Sequence, residues 1–153
     1  QGFALWVRLG GLGHVLAARA ERVRGLLGGG ELMSGDLNGT SEPAHWRRLS
    51  ELAWVPAGWT LAKVPLTAKR IPALDAAVAA LPAMRRYSAG GNVAWIATPA
   101  PVATVHDVLT AQGLAGLVVI GPAGRPLIGT QTGAGFAKRV RGAMDAGGRW
   151  VGA

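Results

Sequence analysis

Lys63 is the lone cation in the apolar stretch Trp59-Thr60-Leu61-Ala62-Lys63-Val64-Pro65-Leu66. An ammonium in such a place must either reach an edge or meet an anion, because burying it unpaired is costly. The simpler reading is an aliphatic stem snorkelling at a sheet margin. A second segment, Arg86-Tyr87-Ser88-Ala89-Gly90-Gly91-Asn92-Val93-Ala94-Trp95-Ile96-Ala97-Thr98, alternates small and apolar residues like a strand but carries a glycine pair. Glycine weakens a strand, so Gly90-Gly91 marks a bulge or a point where a ligand or another backbone comes close. Asn92 and Trp95 beside it could then face a planar ligand. The simpler alternative is a hairpin turn joining residues 84–87 to 93–97, with Trp95 in the core.

Other groupings are weaker. Gly11-Leu12-Gly13-His14 opens a helix as a dinucleotide fingerprint would, but Leu16 stands where the third glycine belongs. The loop Gly129-Thr130-Gln131-Thr132-Gly133-Ala134-Gly135 precedes a helix carrying Lys138, yet lacks the adjoining Gly-Lys-Ser/Thr of a phosphate loop. His14, His45 and His106 are far apart and none has a second ligand at metal spacing, so no metal site is expected. Ser34, Ser41, Ser50 and Ser88 all lie outside a Gly-x-Ser-x-Gly elbow, and Asp75, Asp107 and Asp145 fall on separate helices. No complete set of catalytic residues emerges.

Composition narrows the classes further. The 153 residues suffice for one domain with a real core, and half of them are apolar. There is no cysteine, which removes disulfides, thiol nucleophiles and iron–sulfur ligation within this chain and fits a cytoplasmic setting. The longest apolar run, 114–120, is strand-sized, so no membrane span is expected. The net charge of +8 invites a nucleic-acid reading, but the arginines are dispersed. Solvated helix faces, an acidic partner or a small anionic substrate are alternative outlets for that charge.

The elements that would position these residues follow from periodicity. Residues 4–9 alternate like a strand; 12–27 has helical spacing and ends at Gly28-Gly29-Gly30. A short strand over 31–33 and a polar loop over 34–43 follow, with Ser41 capping and Pro43 opening a helix over 44–52. Strand 59–66 turns Trp59, Leu61, Lys63 and Pro65 to one face and Thr60, Ala62, Val64 and Leu66 to the other. Helices are expected over 71–81 and 101–111, a buried strand over 116–120, a loop over 121–135 and a basic helix over 136–145. Together these predict an α+β fold: a ferredoxin-like sandwich, mostly antiparallel, with helices on one face of the sheet.

Taken in order, several segments resemble a known family. They are Leu5-Trp6-Val7-Arg8-Leu9, Leu26-Leu27-Gly28-Gly29, Ala44-His45-Trp46-Arg47-Arg48-Leu49 and Leu61-Ala62-Lys63-Val64-Pro65-Leu66. Ser88-Ala89-Gly90-Gly91-Asn92-Val93-Ala94-Trp95 and Lys138-Arg139-Val140-Arg141-Gly142-Ala143-Met144-Asp145 complete the series. The whole resembles the C-terminal half of the FAD-binding E subunit of bacterial glycolate oxidase, in the FAD-linked oxidase superfamily with vanillyl-alcohol oxidase.

The resemblance implies that residues 1–153 form a single cap-type domain of a longer subunit whose N-terminal FAD domain is absent here. Gly90, Gly91, Asn92 and Trp95 would approach the flavin, and Lys63 would attract the carboxylate of a small 2-hydroxy acid. FAD would supply the hydride chemistry. Partners would be flavoprotein and iron–sulfur subunits of the same type, placing the chain in the cytoplasm or, through them, at the inner membrane. The family's closing Phe-Asp-Pro and Asn-Pro-Gly-Arg are replaced here by Met144-Asp145-Ala146-Gly147-Gly148-Arg149-Trp150, which removes both prolines and the asparagine. An assembly module without flavin and a basic ferredoxin-like nucleic-acid binder are the alternatives.

Overall fold

The computed structural model describes residues 4–27, 41–122, 124, 126–145 and 147, and the chain divides into two compact units, Gln1–Pro43 and Ala44–Ala153. In the first, α1 (Gly13–Leu26) is the regular element. Residues 4–10 form no strand, contrary to their alternation. Alternation supplies a face but not a ladder partner, and Leu5, Trp6 and Val7 are exposed. The expected strand at 31–33 lies outside the described residues.

The second unit is built on five strands: β1 (Thr60–Pro65), β2 (Met84–Ser88), β3 (Val93–Thr98), β4 (Ala115–Ile120) and β5 (Leu127–Gly129). They form one antiparallel sheet in the order β2-β3-β1-β4-β5. The helices are α2 (Ser41–Ser50), which begins in the first unit, α3 (Ile71–Val78), α4 (Val102–Ala111) and α5 (Ala134–Met144). Helix α3 connects β1 to β2 and α4 connects β3 to β4, each crossover skipping one strand. That is the split β-α-β pattern of a ferredoxin-like fold, extended at one edge by β5. The crossover from β1 therefore lands on β2, while β3 inserts between them.

Helices α3 and α4 pack on one sheet face. Leu74 with Val78 and Val105 with Leu109 are buried one turn apart, the spacing that aligns a helical stripe. They meet Ala62, Val64, Ala94, Ile96 and Ile128 from the strands. Pro101 stands at the N-cap of α4, just outside the helix rather than in its first turn. That helix ends in a Schellman motif. Gly113 takes φ +61°, its N–H reaches the Thr110 carbonyl (2.9 Å), and Leu114 N–H reaches Leu109 (2.9 Å).

The opposite face is covered in part by a smaller cluster of Trp54, Leu61 and Ala97, with Leu49, Leu52, Val55, Trp59 and Trp95 around it. This cluster explains why Leu61 and Ala62, neighbours on opposite faces, are both fully buried.

Candidate anion-binding face of the sheet

Lys63 and Trp95 are brought together by strand register. In the antiparallel ladders Lys63 lies opposite Trp95 on β3 and opposite Leu117 on β4. Trp95 in turn lies opposite Arg86, and Leu117 opposite Leu127. Directly paired residues share a face, so Arg86, Trp95, Lys63, Leu117 and Leu127 form one row across all five strands. It crosses the face turned away from α3 and α4. Leu117 and Leu127 are 41% and 55% exposed, so this end of the row is open.

Two cation–aromatic stacks occupy the remainder. Lys63 Nζ stands 5.5 Å from the centre of the Trp95 ring, and Arg86 Cζ stands 4.5 Å from that of Trp54. Such contacts contribute about 0.5–1 kcal/mol at half-exposed sites, enough to orient a side chain but not to neutralise it. The Trp95 indole N–H donates to Ser88 Oγ at 3.0 Å, which fixes the ring beneath the ammonium. Among the described residues no carboxylate lies within ion-pair distance of Lys63, Arg86 or Arg48. Burial lowers the affinity of the Arg86 guanidinium for its proton, and the nearby charge of Arg48 lowers it further. Positive charge is therefore concentrated here against aromatic surface.

The glycine pair sits at the tip of the β2–β3 hairpin. Ala89, Gly90 and Gly91 have φ of +52°, +64° and +83° in succession, and Asn92 N–H closes the turn on the Ala89 carbonyl at 3.2 Å. At Gly91 an added Cβ would come within 3.0 Å of Ile71 Cδ1 and 3.1 Å of Ala68 Cβ, so its bareness is accounted for by chain packing. The Asn92 carbonyl accepts from Leu66 N–H at 3.0 Å, tying the turn to the end of β1. Of the four residues proposed near a cofactor, Trp95 lies on the charged row, while Gly90, Gly91 and Asn92 form the turn beside it.

The other sequence groupings have structural occupations. Arg19 reaches back to donate to the Gly10 carbonyl at 2.7 Å, filling the Gly10–Gly13 turn where a phosphate would sit. His106 Nδ1 accepts from Gly129 N–H at 2.9 Å, clasping β5 to α4. The side chain of Asp75 receives Tyr87 Oη at 3.1 Å and Arg85 Nε at 3.3 Å, anchoring α3 to β2. Burial and this hydrogen bond push the Tyr87 phenol up to about 12. An open groove of about 670 Å3 is lined by Leu127, at the end of that row, with Gln131, Thr132, Lys138 and Arg141 among others. Among the described residues no three His, Asp or Glu gather as a metal site, and no helix is long and apolar enough to cross a membrane.

Sequence reasoning did not single out Arg86 as a site residue, nor Trp54 at all. Arg86 was legible in principle, since once 84–88 pairs with 93–98 it must share a face with Trp95. Trp54 lies in an irregular segment between α2 and β1, where periodicity gives no face. Compared with protein-family models, with curated proteins and with solved structures, the chain finds no match.

Proposed function

We propose that this chain is the cap-type domain of a glycolate-oxidase-like FAD-binding subunit, whose open sheet face holds the carboxylate of a small 2-hydroxy acid. The observation that carries the reading is the Lys63–Trp95 stack. It offers a half-buried ammonium on an aromatic floor, with no carboxylate counter-charge among the described residues. A cation so held gives a charge-assisted contact to a carboxylate, while the ring beside it excludes water from one flank. The ferredoxin-like sheet, covered by α3 and α4 on one side and only in part by the Trp54 cluster on the other, suits a cap over a planar cofactor. Flavin would be held mainly by another domain and would accept the hydride; the residues here orient the acid. In this reading Trp95 faces the cofactor side, and the hairpin of Gly90, Gly91 and Asn92 limits its edge.

The test is the visible spectrum of the complete polypeptide containing this chain. A flavin band bleached by glycolate or lactate is expected, and Lys63→Ala should raise KM about tenfold with a smaller change in kcat. A colourless protein that takes up no added FAD sinks the reading and leaves an assembly role with partner subunits.

A nucleic-acid reading is favoured by one specific observation, the two cation–aromatic stacks on the open face of a ferredoxin-like sheet. It requires single-stranded RNA binding that Trp95→Ala abolishes. Binding that survives that change and merely fades with salt is the generic attraction of a basic chain.

A further inference from the structure

The row that contains Lys63 carries more positive charge than one carboxylate neutralises. Arg86 stands two strands away on the same face, at the far side of Trp95. Neighbouring strands are about 4.8 Å apart, so the two backbones lie roughly 10 Å from one another. The Arg86 guanidinium carbon stands over the Trp54 ring, 4.5 Å from its centre, and a guanidinium carries five N–H donors that an acceptor can meet. Arg48 on α2 adds a second positive charge close enough to be felt at Arg86. No carboxylate pairs with either among the described residues.

The half-buried Arg86 guanidinium feels the positive charge of the exposed Arg48, and an anion meeting Arg86 would relieve that repulsion. Guanidinium geometry suits a planar carboxylate or a phosphate, which it binds through paired N–H donors. The two positive poles, Lys63 and Arg86, stand on either side of Trp95 in the row. A one-carboxylate acid such as lactate occupies one pole and leaves the other uncompensated.

Resting on the reading of Lys63 given above, we propose that this face takes a 2-hydroxy acid bearing a second anionic group. The first carboxylate would lie on Lys63 and the second charge on Arg86 with Arg48, with the carbon chain across Trp95. The second group is a carboxylate or a phosphate; the two share the chemistry that guanidinium recognises, and paired probes distinguish them.

The experiment is a set of titrations of the full chain at low salt with lactate, malate and 3-phosphoglycerate, read by tryptophan fluorescence. All three are 2-hydroxy acids, and they differ in the absence or kind of the second anionic group. Malate or 3-phosphoglycerate should bind at least about tenfold more tightly than lactate, the tighter one naming the second group. Arg86→Gln should erase that preference and leave lactate affinity within about twofold. Arg48→Gln, on an exposed helix position, should reduce it in part and guards against misfolding of the Arg86 variant.

Equal affinity for the three acids, or a preference that survives Arg86→Gln, overturns the proposal. Neither result touches the capping of a flavin, which the visible spectrum of the complete polypeptide reads independently. Conversely, a colourless complete protein whose chain still prefers malate through Arg86 removes the flavin reading and keeps the two-anion site.

Discussion

Tyr87 illustrates how a single side chain ties helix to sheet. Its hydroxyl donates to Asp75, whose carboxylate also meets Arg85, and Arg85 Nη1 donates to the Asp75 main-chain carbonyl at 2.9 Å. Tyr87→Phe deletes one hydrogen bond at a half-buried site and should cost about 1 kcal/mol at neutral pH, measured by urea unfolding. The pH dependence has a definite sign. With its pKa raised from 10.0 to about 12, the folded state holds the phenolic proton more tightly than the unfolded one. Stability from this source is complete below pH 10 and is lost as pH climbs from 10 towards 12. Tyr87→Phe should flatten that part of the alkaline unfolding profile. An unchanged profile would mean that other groups set the alkaline limit.

Among the elements, β5 is one that periodicity missed: residues 127–129 fall inside what reads as a Gly- and Pro-rich loop. Three residues are too few to display alternation, and the signal lies instead in packing. At Gly129 φ is +74°, and an added Cβ would stand 2.1 Å from the Leu114 carbonyl oxygen. Gly129→Ala therefore meets backbone rather than a yielding side chain. It should destabilise by about 3 kcal/mol or more and release β5, read as accelerated amide exchange in β4. The longer elements were legible for the opposite reason. Leu74 with Val78 and Val105 with Leu109 repeat at helical spacing, and the faces of β1 alternate as its sequence does. Leu109→Ala, removing a fully buried side chain between α4 and the sheet, should cost 2–5 kcal/mol by the same unfolding assay. The site was half legible. Lys63 and Trp95 announce themselves as a cation and an indole in apolar strands, but their contact depends on a register that one-dimensional patterns do not give. Strand-like residues 4–9 mislead because a pattern names a face without naming the neighbour that would pair with it.

At the scale of the molecule, the net charge of +8 and a pI near 11.5 set a background against which any specific binding must be read. The chain should adhere to polyanions such as heparin in dilute buffer. That attraction should fall steeply between about 50 and 200 mM salt, where exposed charges are screened. Recognition at Lys63 and Arg86, backed by indole rings, should persist further. Comparing elution of the wild type and Arg86→Gln from an anionic resin separates the two, since one charge of sixteen barely alters the background. The expected pattern is that Lys63→Gln and Arg86→Gln elute together with the wild type, while Lys63→Gln loses small acids and Arg86→Gln loses only the preference for doubly charged ones.

The strand order also has a consequence for how the chain comes into being. The central strand, β1, is translated before either of its neighbours, β3 and β4. Leu61, Ala62 and Val64 must therefore wait, unpaired, while residues 93–98 and then 115–120 emerge from the ribosome. A stalled or truncated product ending before β3 would present this apolar ribbon with both edges bare. A chaperone that grips short extended apolar segments should bind such a nascent chain and let go once β4 has closed the second edge.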